Sequence, residues 1–166
     1  IKLGVAAAKQ ITVNIDTTRI KAINIGTAYG LLQDSEQFLA QLITQKEQTL
    51  TPTAFIQSTH NTVGGAIALS LQCNAHNMTY VHKAHSVSLA LLDASIMDVK
   101  AEEYVILGGV DELTDTADTV LQKVSNAYTA EGATLLLLSG EKKANNIAIL
   151  KHHFEYESAN TIDDII

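Results

Sequence analysis

One cysteine, six histidines and a scatter of hydroxyls are the groups in this 166-residue chain that could do covalent or acid–base chemistry. Cys73 is the lone thiol, which rules out an intrachain disulfide and fits a reducing compartment such as a cytoplasm. It closes an apolar run from Val63 to Leu71, where a small buried hydrophobe is expected rather than a reactive thiolate. Ser86 starts a second apolar run. A serine there suits a helix N-cap, and as a nucleophile it would need a base that nothing nearby in sequence supplies. His82 and His85 flank the same point and could line a ligand channel or sit as exposed loop residues. His60 precedes Asn61, and His152 and His153 are adjacent. Neighbouring residues of a strand point to opposite faces, so that pair cannot close on one ion and no metal site is expected. Asp111 and Glu112 diverge for the same reason and read as acceptors that organise a loop. Gly26 to Gly30 lacks the G-x-G-x-x-G spacing and the phosphate-binding lysine of a nucleotide loop.

The elements that must position these groups alternate. Residues 1–10 read as the end of an Ala-rich helix, and 20–26 as a buried strand ending at Gly26. Asp34 with Gln37 has capping-box spacing and opens a helix to about Thr49, after which Pro52 closes the region. The segment from Thr62 to Cys73 is apolar nearly all round, the pattern of a helix buried on every side. Met78–His82 is a short strand, Ser86–Val99 a helix with little polar face, and Tyr104–Leu107 a strand stopped by Gly108 and Gly109. Thr114–Lys123 is a helix. Ala133–Ser139 and Ile147–Phe154 are strands joined by the turn Gly140–Asn145, and Thr161–Ile166 is a helix cut short. Strands separated by helices predict an α/β domain with a mainly parallel sheet. Two helices with apolar surface all round predict more: layers closed by a second half or a partner.

Composition narrows the function. The chain is 46% hydrophobic and 17% charged, with no Trp, a globular profile. A net charge of −7 with eleven basic residues, of which only Lys142 and Lys143 adjoin, argues against nucleic acid as partner. No stretch has the length of apolar sequence that crosses a bilayer. The chain opens without Met inside a helical pattern, which reads as one domain over residues 1–166 truncated at both ends.

Three segments carry a resemblance to the N-terminal half of β-ketoacyl synthases. In 51–81, Asn61, Gly64, Gly65, Ile67 and Leu69 fall in the order of the family's approach to its nucleophile. In 88–112, a helix is followed by a strand whose Gly108, Gly109, Asp111 and Glu112 resemble the family's Gly-Gly-x-acid end. In 129–140, Glu131, Gly132 and Ala133 resemble its next strand entry. The resemblance implies a thiolase-like half, layered α-β-α with a mainly parallel mixed sheet, incomplete without a second half. It is strongest toward the synthase and chain-length-factor proteins of aryl-polyene and flexirubin clusters.

The resemblance also implies a chemistry. The family places a thiolate at a strand-to-helix corner, where the helix N-terminus lowers its pKa and backbone N–H groups hold the thioester oxygen. Counting from Asn61 by the family's spacing puts that position at Ala84, and counting back from Gly108 puts it at Lys83. Neither is a thiol. Ser86 and His85 are the weak substitutes; His82, His85 and Asn61 are the substrate-lining candidates; Gly65, Gly108, Gly109, Asp111 and Glu112 are the structural ones. Two readings follow. One is a non-elongating, chain-length-factor-like subunit of fatty-acid, polyketide or polyene synthesis. The other is an acyltransferase that condenses, or only decarboxylates malonyl groups. Both imply a homodimer or a heterodimer with an active synthase, and an acyl-carrier protein bearing 4'-phosphopantetheine, with no resident cofactor.

Overall fold

The computed structural model describes residues 1–45, 52–124, 129–142 and 146–149. Helix α1 (Lys2–Ile11) leads through a 3-10 turn at Thr17–Arg19 into strand β1 (Ile20–Thr27). Helices α2 (Leu32–Thr44), α3 (Pro52–Gln57) and α4 (Thr62–Leu71) precede β2 (His76–Val81). A second 3-10 turn, Lys83–His85, joins β2 to α5 (Ser86–Ile96), and β3 (Tyr104–Asp111), α6 (Asp115–Val124) and β4 (Gly132–Ser139) follow.

The strands form one sheet in the order β2-β1-β3-β4. β1 runs parallel to both β2 and β3, and β4 is antiparallel to β3. α1 and α4 lie on one face, where Ile23, Ile25, Ile67, Val63, Ile106 and Val110 make the larger core. α5 lies on the other with a smaller core of Ala22, Ala90, Ala94, Val105 and Leu107. The result is the expected α-β-α layering on a mainly parallel mixed sheet. β1 and β3 are buried almost throughout because a parallel strand covered on both faces has no wet side.

Several expectations are corrected. β3 does not stop at Gly108 and Gly109: it continues to Asp111, because both glycines pair with β4, opposite Leu135 and Thr134. The Cβ of any other residue at Gly108 would lie 2.0 Å from the Thr134 carbonyl oxygen, so the strand crosses here only as glycine. Asp34 lies inside the first turn of α2, whose N-cap is Leu31 with no side-chain cap. Pro52 opens α3 rather than closing a helix, as a first-turn proline does. α4 is not buried all round, since Leu69 is 82% exposed. Residues 147–149 form no strand. The rest of that expected strand, with His152 and His153, the end of the helix expected from Asp34 to about Thr49, Lys143 and the expected helix Thr161–Ile166, lies outside the described residues.

Candidate functional site

The C-terminal ends of β1 and β3 and the N-terminal end of α5 converge at one edge of the sheet, and the chain turns sharply there. After β2, Lys83 takes a left-handed conformation, φ +50°, costly for a side chain with a Cβ. Ser86 holds the turn in that shape. Its Oγ accepts from the His82 N–H and donates to the Lys83 carbonyl, each at 2.8 Å, with the residue 2% exposed. Both roles of the hydroxyl are therefore taken by backbone, and among the described residues no base is hydrogen-bonded to it. Ser86 is the corner's staple.

Beneath the corner the sheet is made of glycine. A Cβ on Gly26 would fall 2.6 Å from the Val87 nitrogen, and one on Gly109 would fall 3.0 Å from a Val87 methyl. These absences let the first turn of α5 rest on the backbone of β1 and β3. Lys83, Ala84 and His85 are all exposed at the corner. The rings of His82 and His85 lie 5.9 Å apart, tilted by 38°. His85 is the residue immediately before α5, so its side chain sits at the positive end of the helix dipole.

Cys73 is elsewhere. It follows α4 at 8% exposure, with its thiol 4.0 Å from the Ile20 carbonyl at the opposite end of β1. Asn61 is exposed and precedes α4 without capping it. A side chain at Gly65 would enter open space, whereas Gly64 is closed off by the Asn77 side chain.

Asp111 and Glu112 tie the end of β3 to the segment after β1. Asp111 Oδ1 accepts from the Thr27 hydroxyl at 2.8 Å and the Ala28 N–H at 2.7 Å. Glu112 accepts from the Gln33 N–H at 3.0 Å. The Thr27 hydroxyl also accepts from the N–H of Gly30, which has φ +73° and a His60 ring where a Cβ would sit. Gly26 to Gly30 is thus a strand end and an acid-braced turn.

A groove of about 400 Å³ opens beside the corner, with Val87, Leu107, Gly109 and Leu136 in its walls and Asp111 and Glu131 among its polar groups. Deeper under α5 lies a polar contact that sequence reasoning missed. Asn24, on the central strand and 0% exposed, donates to Asp93 Oδ2 at 2.8 Å. Tyr80 also hydrogen-bonds Asp93; partial burial, then that neighbouring carboxylate, push its phenol up to about 12. An asparagine in the middle of an otherwise apolar strand (Ile-Asn-Ile at 23–25) was the available signal. Among the described residues, no cluster of three or more histidine, cysteine or acidic side chains could hold a metal, and no helix is long and apolar enough to cross a membrane.

The described residues thus form a mixed sheet between helical layers, with a glycine-floored strand-to-helix corner at the C-terminal ends of its central strands. No family model and no curated protein matches the sequence. Solved structures do. A chain from the complex of the ketosynthase ApeO with its chain length factor ApeC, from Xenorhabdus doucetiae, superposes with a TM-score of 0.65 at 21% identity. That match covers 83% of this chain and 56% of the other. The ishigamide ketosynthase/chain length factor gives 0.72 at 18% identity, over 86% of this chain and 44% of the other. AntDE:AntF, a type II polyketide acyl-carrier protein in complex with its ketosynthase, gives 0.63 at 18%, over 77% and 41%. The chain therefore spans about half the length of the solved structures it matches, and it has the fold of their corresponding half.

Proposed function

We propose that this chain is the N-terminal half of a ketosynthase-family protein that works as a non-elongating, chain-length-factor-like subunit. The observation that carries the proposal is the corner. Its shape is kept by Ser86 and the glycine floor, but the exposed residues there are His82, Lys83, Ala84 and His85, and the one thiol is buried at the other end of β1. An acyl group handed over as a thioester finds no thiolate to receive it.

In this reading the nucleophile position falls at Lys83 or Ala84, and His82 and His85 face the acyl or pantetheine channel. The partner is an active ketosynthase. The substrate is carried on the 4'-phosphopantetheine arm of an acyl-carrier protein in the cytoplasm, in polyketide, polyene or fatty-acid synthesis. Likeness to ketosynthase/chain length factor structures and to a ketosynthase bound to its carrier protein supports both partners. Among the described residues β2 is an edge strand of six residues, and Met78 and Val81 on it, with Leu89 and Leu92 on α5, are exposed apolar side chains suited to a partner of the same fold.

The test is covalent acylation. The full-length protein, alone and with its partner synthase, is offered acyl-carrier protein loaded with a labelled acyl chain, and each polypeptide is weighed by mass spectrometry. The expected result is acyl mass on the synthase and none on this chain. Acylation of this chain by itself overturns the proposal, as does failure to form a complex with any active synthase.

A further inference from the structure

We infer that the Asn24–Asp93 hydrogen bond is a register pin that sets where α5 lies along β1, and so where the corner at its N-terminus projects. The inference concerns the geometry of this chain and stands whether or not the protein pairs with a synthase.

Where α5 crosses β1, its buried residues are Ser86, Ala90 and Ala94. The strand meets them with Ala22, Asn24 and Gly26, which alternate on its α5-facing side. Side chains of this size make neither ridges nor grooves. Helix position is normally fixed by interdigitating ridges, so along β1 little steric resistance opposes sliding. Leu107 and Val105 of β3 hold the helix sideways, from one flank.

One directional contact remains on that line. Asn24 Nδ2 donates to Asp93 Oδ2 at 2.8 Å and reaches the Ala90 carbonyl at 3.4 Å. Ala90 and Asp93 are three apart and so share a helix face. Tyr80 hydrogen-bonds the same carboxylate from β2, and His76 Nε2 stands 3.9 Å from it. Asn24 is a fully buried amide in a strand where its neighbours across the sheet are Met78 and Leu107. A leucine there would bury without loss of hydration. Buried polar groups in packed apolar seams are best known for fixing register, and Asn24 sits where register is otherwise loose. Asn24 is a positioning residue: it acts on the corner through α5.

Native-state hydrogen exchange on the full-length protein tests this. The reporters are the corner amides of His82, bonded to Ser86, and His85, bonded to the His82 carbonyl. The references are the sheet amides of Ile23 and Val105. In Asn24→Leu the corner amides are expected to exchange at least tenfold faster while the references keep or improve their protection. Asp93→Asn, made alone, retains an acceptor for the Asn24 amide and is expected to keep the wild-type pattern. Corner amides at wild-type rates in Asn24→Leu overturn the inference. So does an equal acceleration of corner and references, which marks general destabilisation. If Asn24→Leu does not fold, the triple variant Asn24→Leu/Asp93→Leu/Tyr80→Phe, which leaves neither the carboxylate nor the Tyr80 hydroxyl unpaired, is read by the same criteria. Failure of that variant to fold also overturns the inference, because the pair would then hold the fold rather than the register.

Discussion

Replacing Gly26 by alanine adds one methyl group, and the structure says where it goes. The new Cβ would stand 2.6 Å from the Val87 nitrogen, 2.7 Å from the Ser86 carbonyl carbon and 2.8 Å from the Val87 Cα. All three are backbone atoms of the first turn of α5, so no side chain can swing away and the helix end itself must lift. Overpacking of this kind costs about 1–3 kcal/mol, offset by roughly 0.4–1 kcal/mol from the stiffer unfolded chain. The expected net loss is about 1–2 kcal/mol, which for a domain of this size lowers the melting temperature by roughly 2–8 °C. Gly65→Ala is the internal control. It sits in a helix with nothing within 4 Å of the new methyl, so it is expected to gain about 0.5–1 kcal/mol from helix propensity. Both are measured as urea midpoints at constant slope. If Gly26→Ala is as stable as the parent, α5 does not rest on β1 as described, and the account of the corner fails.

Three further outcomes are expected. Tyr80 is held protonated to about 12 against an ordinary value near 10. A raised folded-state value means its contribution is fully present below about pH 10 and lost as pH climbs toward 12. An ultraviolet phenolate titration should show a late component that Tyr80→Phe removes. Asp111→Ala leaves the Thr27 hydroxyl and the Ala28 N–H without their acceptor; hydrogen bonds to a charged group run to about 1.5–3 kcal/mol, and a comparable loss is expected in chemical denaturation. Cys73, at 8% exposure, should resist a thiol reagent in the native state and react at once in denaturant; fast native labelling would show that the space between α4 and β1 is open.

Strand positions and burial were legible where the signal was local. Residues 20–26 read as a buried strand because Ile20, Ala22, Ile23 and Ile25 outweigh Lys21 and Asn24, and Ala133–Ser139 because leucines run unbroken. β3 was cut short because two glycines normally punctuate a strand, whereas here the close approach of β4 demands Gly108 and the Val87 side chain of α5 crowds Gly109. The outer faces of α4 and α5 read as buried because their residues are apolar; Leu69 and Ile96, 82% and 71% exposed, show that apolarity signals the need for cover and not its presence. The resemblance pointed to a corner between Lys83 and Ala84, but not to how it is held. The staple joins Ser86 to residues three and four positions back, and one serine offers no sequence sign of whether it caps, staples or attacks. The Asn24–Asp93 contact spans 69 residues, a distance that no periodicity encodes.

The corner's geometry depends on atoms other than those it displays. Ser86 and the glycines of β1 and β3 define its path, while Lys83, Ala84 and His85 project outward unburied. What is shown at the corner is therefore separable from what builds it. A lineage can exchange the displayed residues one at a time without passing through an unfolded ancestor, and selection on chemistry and selection on foldability act there on different codons.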